Sequence, residues 1–284
     1  MPIHDQGYRR YAGTRTPRGQ AWSVIARAGV RAMLARRAFV ALLLLAWAPF
    51  FVQAIGMYLR YAGPSLPGAS LFEIKAETFR TYLDNWFQFL VVYLITVYAG
   101  AGLIANDRRA NALQIYLSKP LSRVEYVLGK FAVLGTFLLF VTWVPALALL
   151  VVQIAFSGDF SFVVNNAYLF PAITLFAFLQ MTVLTASMLA LSSMSKSSRY
   201  VAILYTTLIF FAQAVYGVLR IVTRSTSVSW VSPYANLSQL GGVIFRLRPQ
   251  YDTPWVVSLG VLVALVALSA LVLERRVRGV EVVA

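Results

Sequence analysis

Six stretches of this chain contain no Asp, Glu, Lys, Arg or His: Ala38–Leu59, Trp86–Ala105, Phe131–Phe156, Ala167–Leu191, Tyr200–Leu219 and Pro254–Leu273. Each is 20 to 26 residues long. About 20 apolar residues cross the hydrocarbon core of a bilayer as a helix. Lipid offers no hydrogen-bond partner to an exposed backbone, so a spanning segment is either a helix or a strand of a closed barrel. Barrel strands alternate polar and apolar residues, and these runs do not alternate. The expected fold is an all-α integral membrane protein with six transmembrane helices.

Charge sets the orientation. The chain carries 25 Lys and Arg against 10 Asp and Glu, a net charge of +15 and a pI near 10.4. In a soluble protein that balance would point to nucleic acid. Here the spans sort it differently. With the N-terminus inside, the inner segments 1–37, 106–130, 192–199 and 274–284 hold eight, five, two and three Lys plus Arg. The outer segments 60–85, 157–166 and 220–253 hold three, none and four. Basic residues concentrate on the cytoplasmic side of membrane proteins, so both termini are expected in the cytoplasm and no nucleic-acid partner is expected.

Several chemistries are excluded by missing residues. The chain has no cysteine and one histidine, His4. Disulfides, thiolate metal sites, His-based triads and HExxH zinc sites are therefore ruled out, and no metal is expected. No phosphate-cradling G-x-x-x-x-G-K-[ST] loop occurs; Gly129-Lys130 lacks both the upstream glycine and the following hydroxyl. The spans contain no ionisable residue of the kind that drives proton- or voltage-coupled devices. They offer only amides. Gln88 and Gln213 are the candidate pathway residues, although an intramembrane glutamine more often bonds a neighbouring helix.

Outside the spans, residues 1–19 are rich in Gly, Arg and Pro and read as a mobile tail, with 274–284 as a second cytoplasmic tail. The first apolar run is too long for a signal-peptide core and is expected to remain as an anchor. Residues 20–37 have helical periodicity. Trp22, Ile25, Ala26, Gly29 and Met33 share one stripe, and Arg27 and Arg31 face the other way. A helix in the headgroup plane fits that pattern, with Trp buried and Arg towards anionic lipid. An extension of the first span is the alternative. The outer segment 220–253 is long and apolar for a loop. Within it, residues 228–245 either dip part-way into the membrane as a re-entrant hairpin or form a surface loop. Glu73, Glu77 and Asp84 are the only outer acidic cluster, and Lys75 and Arg80 beside them suggest a solvated mixed-charge surface.

The most informative polar segment is 106–130, between the second and third spans. Asn106–Ser118 reads as a short helix continuing inward, with Leu113, Tyr116 and Leu117 on one face. Asp107 and Lys119 suit its dipole. Pro120 stops it, because a residue before proline is pushed out of the helical region. Ser122-Arg123-Val124-Glu125 is a capping box that starts the next helix. The result is a helix–break–helix elbow with an apolar tip, suited to docking a soluble partner.

At these residues the chain resembles the permease subunit of type-2 ABC transporters, mostly exporters. That family shows an acidic residue after the second span, an aliphatic stretch, a Ser-x-Pro-hydrophobic-Ser-Arg run and an aliphatic-Gly-Lys ending. The matching residues are Asp107, Leu113–Leu117, Ser118-Lys119-Pro120-Leu121-Ser122-Arg123 and Leu128-Gly129-Lys130. Two positions depart: Asp107 stands where Glu is commoner, and the usual Gly-Thr pair is Asn111-Ala112. The resemblance implies a subunit of the cytoplasmic (inner) membrane that pairs with a second permease and with a cytoplasmic ABC ATPase dimer. It also implies that ATP and magnesium bind the ATPase and no cofactor binds this chain. The elbow, through Asp107, Arg109, Asn111, Leu113, Tyr116, Leu117, Ser118, Lys119 and Pro120, would be the coupling helix, and 20–37 the interfacial helix in contact with lipid. Substrate would pass between permeases along the second and fifth spans. The competing expectation is an integral membrane enzyme or assembly factor acting on lipid or polysaccharide, which would use the outer acidic cluster.

Overall fold

The computed structural model describes residues 20–63, 75–112, 122–157 and 164–277. Among them there are helices and turns but no strand, and six helical segments are long and apolar enough to cross a membrane: Arg37–Tyr61, Glu77–Arg109, Arg123–Ser157, Leu169–Met194, Ser198–Thr223 and Trp255–Arg276. The all-α, six-helix expectation therefore holds. The second and third segments run to 33 and 35 residues. At about 1.5 Å per residue they outrun a hydrocarbon core of about 30 Å, so each carries a polar extension beyond it.

Several of these spans are not single helices, and the breaks have identifiable causes. The first consists of α2 (Arg37–Ala46) and α3 (Ala48–Ala62), after the separate α1 (Ala21–Leu34). Pro49 sits in the first turn of α3, where its missing N–H is tolerated. Two short helices, α4 (Ala76–Leu83) and α6 (Ala105–Arg109), flank α5 (Trp86–Gly100) in the second. The third is α7 (Arg123–Val141) followed by α8 (Trp143–Ser157). Pro145 cannot donate to the carbonyl four residues back, that of Val141. Gln88 Nε2 supplies the missing donor at 2.7 Å. Gln88, fully buried, thus satisfies an acceptor freed by a proline on a neighbouring helix.

α9 (Leu169–Met194) is the central post of the bundle, packed against parts of the second, third, fifth and sixth spans. The fifth span is α10 (Ser198–Thr206), a π-helical turn over Thr207–Phe211, and α11 (Ala212–Thr223). α12 (Pro233–Ile244) is short and buried, and α13 (Trp255–Arg276) is the sixth span. Spans two to four have half or more of their most apolar window buried, whereas spans one, five and six have less than a quarter. The apolar surface of those outer three is left for lipid or another subunit.

Two expectations need correction. The helix predicted over Asn106–Ser118 is not continuous: α6 carries the second span on only to Arg109, Asn111 turns the chain with φ 54°, and residues 113–118 lie outside the described residues. The predicted solvated surface around Asp84 is also wrong for Asp84 and Arg80, whose side chains are only 8% and 16% exposed and form an ion pair of 2.9 Å. That pair lies against α12, from which Ser238 Oγ donates to Asp84 Oδ2 at 2.7 Å and accepts from Arg80 Nη2 at 2.8 Å. A residue about 150 positions away in sequence removes both groups from solvent, which local charge pattern does not reveal.

Candidate functional site

The elbow stem is built from the end of the second span and the start of the third. A turn over 101–104 separates α5 from α6, so backbone groups there lack helical partners. Ser192 of α9 meets three of them. Its Oγ donates to Ala101 O at 2.9 Å and accepts from Ile104 N and Ala105 N, each at 3.1 Å. Gly100 lies so close to α9 that an added Cβ would stand 2.4 Å from Met188 Cγ. Arg108 donates from Nη1 to the carbonyl of Ser193. The stem is thereby fastened to the central post.

Asp107 then closes the stem across to α7. Its Oδ2 accepts from Tyr126 OH at 2.8 Å and lies 2.7 Å from Lys130 Nζ. Lys130 also sits 5.4 Å from the centre of the Tyr126 ring, within cation–π range. Three residues on two helices thus make one mutually supporting cluster. Arg109 and Asn111 are exposed beyond it. Leu113, Tyr116, Leu117, Ser118, Lys119 and Pro120 lie outside the described residues.

The capping box is formed in both directions. Glu125 N donates to Ser122 Oγ at 3.1 Å, and Ser122 N donates to Glu125 Oε2 at 3.0 Å. Glu125 has a second role that its sequence spacing does not reveal. Its Oε1 accepts from Ala21 N, the first residue of α1, at 3.2 Å. One carboxylate therefore serves the N-terminal ends of two helices, and negative charge there suits both dipoles. Arg123 is exposed at the first position of α7.

α1 lies directly on α7. A Cβ added to Gly129 would come within 2.8 Å of Ile25 Cβ and 3.0 Å of the Trp22 carbonyl oxygen; one added to Gly29 would meet Val133 Cγ2 at 2.4 Å. Two glycines thus set the spacing of this crossing, and the stripe of Ile25, Gly29 and Met33 faces protein. Trp22 remains 40% exposed, while Arg27 and Arg31 point outwards. Gly129 and Lys130 were legible only as the end of a motif. Lys130 meets Asp107 of the same elbow, whereas the partner of Gly129, Ile25, comes from a segment that the sequence leaves unrelated to it.

The two glutamines join helices. Gln88 bonds Val141 as described. Gln213 Oε1 accepts from Ser232 Oγ at 2.5 Å, and Ser232 Oγ accepts from Ala235 N at 3.2 Å as the N-cap of α12. Among the described residues no group of three His, Asp or Glu is close enough to hold a metal ion. Of the outer acidic residues, Glu77 is exposed, Asp84 is held as above, and Glu73 lies outside the described residues.

No curated relative matches the chain. Residues 57–277 match the family model described as ABC-2 family transporter protein. That match covers most of the chain, including the whole stem and five of the six spans. The chain therefore belongs to the ABC-2 transporter family and is a multi-pass membrane permease component of an ABC transporter.

Proposed function

We propose that this permease works as an exporter subunit of the cytoplasmic (inner) membrane. A separate cytoplasmic ATPase dimer, docked on the 106–119 part of the elbow, supplies the energy. The observation that carries this reading is the Asp107–Tyr126–Lys130 cluster. It joins both legs of the elbow at their base, so a force on the tip moves α6 and α7 together. Through Gly129 and Glu125 the same movement reaches α1, and through Ser192 it reaches α9. A flexible loop would dissipate such a push.

The charge count supports a cytoplasmic elbow. Three exposed tryptophans at the other end, Trp86, Trp230 and Trp255, suit the opposite headgroup region. In this reading α1 is the interfacial helix, α12 is the re-entrant element, and a second permease covers exposed apolar faces of the outer spans. ATP and magnesium reside on the ATPase. Substrate passes along the interface between permeases.

The test is co-purification from detergent of the chain with its ATPase, for the native protein and for L113D/Y116D. Retention by the native chain and loss from the variant is the expected result. A chain that purifies alone, or a variant that keeps the ATPase, overturns the docking assignment.

A further inference from the structure

Between α1, the turn after α5 and the start of α10 lies a cavity of about 390 Å³. Small residues on the surrounding helices and turn, among them Gly29, Ala101 and Ala202, leave the space open. Its polar wall carries Arg36, Arg199, Lys130 and Asp107. Lys130 and Asp107 neutralise each other at 2.7 Å. Among the described residues neither Arg36 nor Arg199 makes an ion pair, so the cavity presents two guanidinium groups. Its other wall is apolar, with Val97, Leu103 and the Tyr98 ring stacked on Phe39 at 5.4 Å.

Depth and charge together identify the ligand class. Arg36 immediately precedes the first span, residues 101–107 follow α5, and Arg199 lies in the first turn of the fifth span. All three sit where hydrocarbon gives way to headgroups. Guanidinium groups bind phosphate oxygens in bidentate pairs. The apolar wall accepts the part of an amphiphile nearest its phosphate. We infer that this cavity binds the phosphate-bearing headgroup of a lipid from the adjoining leaflet, with Arg36 and Arg199 as its two arms. The assignment rests on the membrane reading above only for which leaflet supplies the lipid.

The test is binding of phosphatidylglycerol to the full chain purified in detergent, read by native mass spectrometry. Phosphatidylcholine and inorganic phosphate serve as comparison probes. The native chain is expected to bind phosphatidylglycerol saturably at one site. R36A and R199A should each weaken it by about tenfold, the scale of a lost charge-assisted hydrogen bond. R275A/R276A removes the same charge from the exposed last turn of α13, outside the cavity, and should leave affinity within about twofold. If R36A/R199A binds like the native chain, or R275A/R276A loses as much, the site is overturned in favour of diffuse attraction. Millimolar inorganic phosphate should fail to displace the lipid; displacement overturns the lipid source and leaves a site for free phosphate. Should R36A fail to fold, R199Q reports on the same cavity from an exposed turn. Binding needs no ATPase, so loss of ATPase docking and loss of lipid binding are separate outcomes.

Discussion

Both ends of the bundle hold a carboxylate against a cation and a hydroxyl, but in different settings. At the elbow end, Asp107 meets Lys130 and Tyr126, and its side chain is 19% exposed. At the other end, Asp84 meets Arg80 and Ser238, and its side chain is 8% exposed. The Asp84 cluster is also wider, because Arg80 Nη2 donates to Gln250 Oε1 at 2.6 Å, and that oxygen lies 2.8 Å from Ser238 Oγ. Gln239 then holds the returning chain by accepting from Tyr251 N and donating to the carbonyls of Tyr251 and Thr253. Burial pushes the Tyr251 phenol above its ordinary value, so it stays neutral beside this cluster. The elbow end relies instead on backbone: a shared helix cap, a serine that fills a broken turn, and glycines that permit close contact. One end is a latch of side chains, and the other is a lever whose parts move as one.

That contrast predicts where substitution does most damage. The largest effect is expected for D84A, which leaves Arg80 mostly buried with its carboxylate gone. Breaking a buried pair from one side costs about 3–5 kcal/mol. Thermal unfolding in detergent should show a large drop in Tm. R80A/D84A should recover part of it, since no uncompensated charge remains. D107A should cost less, because Asp107 itself is more exposed than Asp84, at 19% against 8%, and Lys130 keeps the Tyr126 ring at 5.4 Å. Equal losses for D84A and D107A would erase the distinction between latch and lever.

Second in size is G129A. The methyl would press on Ile25 and on the Trp22 carbonyl, which is backbone and cannot rotate away. Overpacking of this kind costs about 1–3 kcal/mol. G241A is the matching test at the latch end, where the added Cβ would meet Phe176 Cε2 at 2.9 Å. A ring edge can give way more easily, so G241A should be the milder of the two in Tm. Transport-coupled ATP hydrolysis should fall further in G129A than its stability loss accounts for. If the two variants lose activity equally, α1 is not part of the lever.

The sequence made some of this legible and hid the rest for physical reasons. Six uncharged runs of spanning length leave helices as the only solution, so the architecture follows from the solvent. The Ser122–Glu125 spacing is readable because a capping box lies within one turn. Asp84 and Arg80 also lie one turn apart, yet what buries them is Ser238 and Gln250, which no local pattern connects to them. The same distance hides Glu125 from Ala21 and Gly129 from Ile25. Ser192 resembles any small residue in a span, and its value becomes visible only beside the broken turn at 101–104. Pro145 is the partial exception: a proline inside an apolar run announces a freed carbonyl four residues earlier, though not that Gln88 will satisfy it.

A smaller effect is expected at Glu125, and it separates two kinds of cap. E125A removes the reciprocal bond to Ser122 and the acceptor for Ala21, and losing an N-terminal cap costs about 0.5–2 kcal/mol. E125Q keeps one carbonyl oxygen, which can serve one helix but not both. Its Tm should fall between those of E125A and the native chain. Hydrogen exchange should then show fraying at the start of α1 or of α7, not at both. Uniform fraying of both helices in E125Q would mean that charge matters here more than geometry.

The smallest effect is at Asn111, where a departure from the family pattern meets a backbone requirement. Its φ of 54° is left-handed, a region that glycine enters freely and asparagine enters more readily than other side chains. Glycine is usual at this position in the family the chain resembles, and asparagine is the substitute that keeps the same turn. N111G should therefore change Tm by no more than that of a neutral surface exchange, within about 0.5 kcal/mol. N111V should cost about 1–2 kcal/mol, because a branched Cβ meets the following carbonyl in this conformation. Residues beyond Asn111 would be redirected, so N111V should also release the ATPase in co-purification while N111G retains it. If N111V keeps both stability and ATPase, the turn does not set the direction of the elbow, and the lever begins only at Ser122.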